Sequence, residues 1–137
     1  MKNIVRVITF FMMLLSIVPL FAQAKKACSS PIHLSDDEAQ ILLYMTPEAI
    51  AARQAGTDVD IERSKPTKQY PAVDFFAATL VSQKPTAGSV LGNGMLGTFA
   101  VNRHTGEVES TGDFTAVTGQ ELKRVRAWLL HAHCASR

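Results

Sequence analysis

Apolar positions change rhythm several times along this chain, and each change marks an element. The first stretch has no rhythm at all: Lys2 and Arg6 stand ahead of an apolar run from Ile8 to Phe21, which closes on the small-residue triplet Ala22-Gln23-Ala24. Basic, apolar, then small is the order of a secretory signal peptide, so residues 1–24 are expected to be removed by cleavage after Ala24. A retained anchor is the alternative. The run is shorter than the roughly 20 residues that span a bilayer, and Pro19 interrupts it. Cys28 follows Lys25-Lys26-Ala27, which lacks the apolar and small residues of a lipoprotein signal, so lipidation is not expected.

The next rhythm is helical. Ser35-Asp36-Asp37-Glu38 reads as a capping box, in which the Ser35 hydroxyl accepts from a first-turn N–H and Glu38 reaches back. The three acids also suit the positive end of the helix dipole. Leu42, Leu43, Tyr44 and Met45 give this helix more apolar surface than one narrow stripe, which predicts packing on a sheet. Thr46-Pro47 then restarts or kinks the helix, which runs through Arg53 until Gly56 ends it.

From Asp58 the period falls to two. Val59 and Ile61 alternate with Asp58, Asp60 and Glu62, as in a short edge strand that exposes its charges. Tyr70 to Ser82 is rich in aromatic and β-branched residues and reads mostly as strand, weakened at Ala77-Ala78. Lys84 to Gly94 carries a proline and several glycines and is read as the longest loop outside the termini. Beyond it, Phe99 and Val101 alternate with Thr98, Ala100 and Asn102, and Val108 returns to the face of Phe99 and Val101 after a turn over Asn102–Gly106. Asn102 and Thr105 can bond to nearby backbone there, and Gly106 can take the positive φ of a bulged hairpin loop.

A second capping box, Thr118 with Glu121, is expected to open a C-terminal helix. Leu122, Val125, Leu129 and Ala132 form its core-facing stripe with Trp128 beside them, and Lys123, Arg124 and Arg126 face elsewhere. A membrane-surface helix is the alternative reading, set aside because the helix is short and the chain's charge is balanced. Helices at both ends with consecutive strands between them predict an α+β fold: an antiparallel sheet of about three to four strands packed with an N-terminal helical region and a C-terminal helix. Residues 25–137 are expected to form a single globular domain, a size that supports one core.

Charge narrows the partners. The formal net charge of +2 resides in the leader, because Lys2 and Arg6 lie there with no acidic residue. The remainder is near neutral, so neither nucleic acid nor, after cleavage, an anionic membrane is an expected partner. The two cysteines, Cys28 and Cys134, sit near the two ends of the exported part and are expected to pair as a disulfide. A reactive or metal-binding thiol is the alternative; no C-x-x-C pair supports it.

Catalytic patterns are scarce. No G-x-S-x-G elbow is present. The acids Asp36-Asp37-Glu38 are accounted for by helix-start chemistry, and Glu107 and Glu109 share a strand face without a signature of paired catalytic carboxylates. The tail His131-Ala132-His133-Cys134 is the best metal candidate by ligand type. Residues two apart on a helix point about 200° away from each other, however, so no metal and no cofactor are expected. His33 and His104 are read as lone histidines.

The stretch Gly97-Thr98-Phe99-Ala100-Val101-Asn102-Arg103-His104-Thr105-Gly106-Glu107-Val108 resembles a hairpin of the form G-x-F-A-V-N-x-x-T-G-x-V found in small exported bacterial proteins. It is similar to periplasmic immunity proteins that neutralise peptidoglycan-degrading toxins, including the amidase effectors of type VI secretion. PepSY-type domains carry a similar strand, turn and strand with T-G-E-V. After Val108 this chain departs from the commoner form, with Glu109-Ser110 where an aromatic residue is usual.

The first resemblance implies a non-enzymatic inhibitor whose partner is a protein toxin, a cell-wall amidase or related hydrolase. The expected contacts are Ser89, Val90, Leu91 and Asn93 in the long loop, with Arg103 and His104 at the hairpin turn as a second group. Val90 and Leu91 folding back onto the core is the competing reading of that loop. The second resemblance implies a PepSY- or cystatin-like module that binds a peptide along a sheet edge or regulates a protease. An enzyme with dispersed catalytic residues is the third option, and a homodimer is left open.

Overall fold

Ser35 opens the first helix as the sequence predicts. In the computed structural model, which describes residue 28, residues 31–84 and residues 94–135, α1 spans Asp36–Tyr44. Residues 1–24, the expected leader, lie outside the described residues. The Ser35 N–H donates to Glu38 Oε2 at 2.8 Å while the Ser35 hydroxyl accepts from the Glu38 N–H at 3.2 Å, so both halves of the capping box are made. Thr46, fully buried, caps α2 (Pro47–Gln54), and Gly56 follows its last turn.

Four strands follow: β1 (Val59–Arg63), β2 (Phe75–Ser82), β3 (Met95–Asn102) and β4 (Val108–Ser110). They pair in chain order, antiparallel throughout. The last element is α3 (Gln120–Ala135). The α+β architecture is the one the sequence predicts, with both helical regions packed on one sheet face.

Register decides what that face carries. Phe76, Ala78 and Leu80 of β2 stand opposite Val101, Phe99 and Gly97 of β3, and Val108 stands opposite Val101. With Val59 from β1 they meet Leu42 and Leu43 of α1, Ala49 and Ala52 of α2, and Leu122 and Leu129 of α3 in one core. Leu34, Leu42, Leu43, Phe76, Leu80 and Val101 are among the largest fully buried side chains. Each contributes about 1.5–3 kcal/mol of gross burial energy. The alanine pair that weakened the strand prediction has a packing reason: Ala78 lies opposite Phe99, where a larger residue would compete for the same space. Gly97, at φ 156° beside the register shift at Leu80/Val81, leaves room for the same ring, since a Cβ on it would lie 2.8 Å from Phe99 Cζ.

β2 takes up most of the Tyr70–Ser82 segment, as expected, and begins at Phe75 because Pro71 starts a turn in which its carbonyl accepts from the Asp74 and Phe75 N–H groups. Two local expectations are corrected. α3 begins at Gln120: the Gly119 carbonyl accepts from the Lys123 N–H, and Glu121 turns to Arg124 and forms no box with Thr118. Gly119 sits against Pro47 of α2, so a tertiary contact sets that start. Trp128 is 64% exposed, and Ala132 is exposed too. At 100° per residue Trp128 lies roughly 120° from Leu122, outside the narrow stripe that α3 buries.

Cys28 and Cys134 form a disulfide, with Cα atoms 5.2 Å apart across 106 residues of sequence. Among the described residues no helix is long and apolar enough to cross a membrane.

Candidate binding surface

The hairpin turn is built as its sequence predicts. Asn102 Oδ1 accepts from the His104 and Thr105 N–H groups at 2.9 and 3.1 Å, and Gly106, at φ 67°, returns its N–H to the Asn102 carbonyl. A Cβ on Gly106 would lie 3.2 Å from Arg126 Cγ and 3.5 Å from Leu34 and Leu42 side chains, so this turn is pressed beneath α1 and α3.

Of the two residues the sequence nominates at this turn, Arg103 points inward. Its side chain is 5% exposed. Nε donates to the Ala72 carbonyl at 3.0 Å and Nη1 to the Leu34 carbonyl at 2.9 Å, while Nη2 pairs with Asp36 and the guanidinium lies over the Phe76 ring. Arg63 reaches the other oxygen of Asp36 from β1. The hydrogen bond from Arg103 is the main reason the Asp36 carboxyl sits below the usual range; partial burial works against it, and the two positive charges assist. Arg103 therefore joins the entry segment, α1, the 71–74 turn and the hairpin, and the turn presents His104 to solvent in its place.

His104 is not solitary. Nδ1 lies 2.9 Å from the Ile32 carbonyl and Nε2 3.0 Å from Asp74 Oδ1. Both partners accept, so the doubly protonated ring satisfies both; the Ile32 carbonyl first and Asp74 second raise its pKa. His33 packs edge-on against it at 5.5 Å. The C-terminal tail is likewise occupied: His133 Nε2 meets Glu38 Oε1 at 2.8 Å and Cys134 is in the disulfide, which leaves His131 on the exposed side of α3. Burial lifts the Glu38 carboxyl, but the Ser35 N–H and His133 outweigh it and hold the group below its ordinary value. Among the described residues no group of three or more metal-ligating side chains comes together.

Ser89, Val90, Leu91 and Asn93, the loop nominated for partner contact, lie outside the described residues. Within the described residues the most distinctive surface is assembled from segments that share no local sequence pattern. The sheet face away from the helices carries Ala77, Thr79, Thr98 and Ala100, and two connections fold across it. One is the segment from Ser64 to Tyr70; the other is the turn from Thr111 to Thr115 after β4. Between them lies a hollow of about 440 Å³, floored by Ala77 and Thr98 and walled by Lys65, Lys68, Tyr70 and Phe114.

Tyr70 is 7% exposed and stacks edge-on against Phe75. Its hydroxyl is buried with no hydrogen-bond partner of ordinary geometry. Burial, and then the nearby Glu109 carboxylate, push its pKa up to about 12. Phe114 differs in kind, for it is 59% exposed and holds φ at 56°. A left-handed conformation costs a bulky L-residue about 1–2 kcal/mol, and here the side chain stays mostly exposed, so burial offsets only part of it. Asp113 fixes the turn by accepting from the Thr115 hydroxyl at 2.8 Å and its N–H at 3.3 Å. The Ser110 N–H to Thr115 carbonyl and Thr111 N–H to Thr98 carbonyl bonds, both 2.9 Å, anchor it to the sheet. The only trace of this in the sequence is an aromatic residue inside the polar run Thr111-Gly112-Asp113-Phe114-Thr115.

No protein-family model matches the chain, and no curated protein sequence does. Among solved structures it is similar to a chain of a type VI secretion system effector-immunity complex from Pseudomonas protegens, with a TM-score of 0.50 and 18% identity. The match covers 69% of this chain and 73% of that one. At that identity the likeness is one of fold: the four-stranded antiparallel sheet with its flanking helices is an architecture found within an effector-immunity assembly.

Proposed function

We propose that this protein is an exported immunity protein that binds a peptidoglycan-degrading toxin of the amidase class in the periplasm and blocks its active site without catalysing a reaction itself. The observation that carries the proposal is the fold shared with a chain of a type VI effector-immunity complex. Three features support it. The hairpin Gly97–Val108 resembles that of periplasmic immunity proteins, the leader has the order of a signal peptide, and the Cys28–Cys134 disulfide suits an oxidising compartment. Occluding a cleft requires a surface already held in its binding shape, which reduces the ordering cost of association. The disulfide, the Arg103 cluster and the bonded turns provide such a scaffold.

A peptide module that recruits a strand has less support. The outer edge strand β1 turns Asp60 and Glu62 to solvent, and beyond β4 the bridge between Glu109 and Ala116 occupies the other edge. The test is co-expression of the whole chain, leader included, with type VI amidase effectors directed to the periplasm. Suppression of lysis together with a complex that survives size-exclusion chromatography is the expected outcome. Lysis that proceeds despite full expression of the oxidised protein contradicts the proposal.

A further inference from the structure

Resting on that reading, the geometry points to the hollow between the Ser64–Tyr70 segment and the Thr111–Thr115 turn as the toxin-binding epitope, with Phe114 as its aromatic anchor and an acidic cleft rim on the toxin as its complement. Three observations converge on this surface.

The first is the backbone at Phe114. Left-handed φ is strained at a phenylalanine that stays mostly exposed, and glycine would occupy the position without strain. The turn is nonetheless pinned by Asp113 and by two backbone bonds, one to β4 and one to β3, so the ring is presented in a fixed direction. Fixed aromatic rings beside a concave surface are the typical anchors of protein interfaces, because they bury a large area at little cost in side-chain freedom.

The second is charge. Lys65 and Lys68 are exposed and form no ion pair among the described residues, and no carboxylate lines the hollow. Elsewhere four arginines are matched: Arg63 and Arg103 with Asp36, Arg124 with Glu121, Arg126 with Glu107. The concavity between the hairpin and α3 contains that last pair and presents no comparable excess. An unneutralised positive rim steers and holds a surface of opposite sign, which defines the partner face as acidic around an apolar recess.

The third is the floor. Ala77 and Thr98 are small, so the sheet is open to close approach between the two walls. A side chain from the partner can rest there against Tyr70 while Phe114 enters the partner's recess.

The test uses the full oxidised protein and catalytically inactivated type VI amidase effectors, with affinities measured by calorimetry. Phe114→Gly is expected to weaken binding roughly tenfold or more while the melting temperature stays equal or rises, because glycine relieves the left-handed strain. A purely structural Phe114 would instead lower the melting temperature. The double variant K65E/K68E is expected to weaken binding by roughly tenfold and to abolish the loss of affinity with added salt. Trp128→Ala, on the opposite flank, is expected to bind as wild type. If the wild-type protein binds an effector and both F114G and K65E/K68E bind it equally well, or W128A alone loses it, the epitope assignment is overturned while the immunity reading stands. If the wild-type protein binds no effector in the panel, the immunity reading falls and takes the epitope with it.

Discussion

Arg103 occupies the position in the hairpin turn where an exposed, partner-seeking arginine is the natural expectation, and instead it satisfies two backbone carbonyls and a carboxylate from inside the fold. Ala72 and Leu34 lie in segments without regular structure, so their carbonyls have no ladder to join; the guanidinium supplies fixed donors where the chain cannot. Replacing Arg103 with alanine is expected to destabilise the protein by about 2–4 kcal/mol in urea unfolding, through the unsatisfied carbonyls and the lost charge pair. Lysine should not restore it, because one ammonium cannot reproduce a planar fork. Arg63 pairs with the same Asp36 but is half exposed, so Arg63→Ala should cost less than about 1 kcal/mol. Equal losses at the two positions would contradict the buried role given to Arg103.

Among the elements, those whose signals are local were legible. The capping box at Ser35, the proline restart at Thr46-Pro47, the alternation in β1 and the turn at Asn102–Gly106 depend on residues within a few positions of one another, and all form as the sequence predicts. Gly106 tests the last of these. Alanine there must adopt φ 67° and push against Arg126 Cγ at 3.2 Å, so Gly106→Ala is expected to cost about 1–2 kcal/mol, read as a lowered denaturant midpoint with an unchanged slope. What was not legible depended on other elements. The start of α3 is set by the fit of Gly119 against Pro47, and the exposure of Trp128 by which side of the helix meets α1 and the hairpin. Asp36 and Glu38 look like helix-start chemistry in the sequence, yet they also bind Arg103 and His133 from 67 and 95 residues away. The candidate epitope was hidden for the same reason: Lys65, Tyr70, Thr98 and Phe114 share no local pattern until the sheet brings two connections together.

At the scale of the molecule, α3 is held at two points of different chemistry. Near its middle, Arg126 donates to the Thr105 carbonyl at 2.8 Å and pairs with Glu107, which fixes the helix to the hairpin turn. At its end, Cys134 is bonded to Cys28 and His133 meets Glu38, which fixes it to the entry segment and α1. Reduction removes only the covalent member of the second set. A closed loop of about 100 residues is worth up to ~4.7 kcal/mol on the loop-entropy model, with 2–4 kcal/mol the usual measured effect. The Cys28→Ser/Cys134→Ser variant is therefore expected to lose about 2–4 kcal/mol of global stability. The loss should also be distributed unevenly. Leu129, Arg126 and the sheet keep their contacts, so hydrogen exchange in the native state is expected to accelerate most at the last turn of α3 while β2 and β3 open only with global unfolding. Acceleration spread evenly over sheet and helix would mean that the disulfide acts on the unfolded chain alone and that His133 with Glu38 suffices to seat the helix end. Confinement to the helix end identifies the disulfide as what seats the last turn of α3 on the entry segment and α1, while Arg126 keeps the middle of the helix on the hairpin turn.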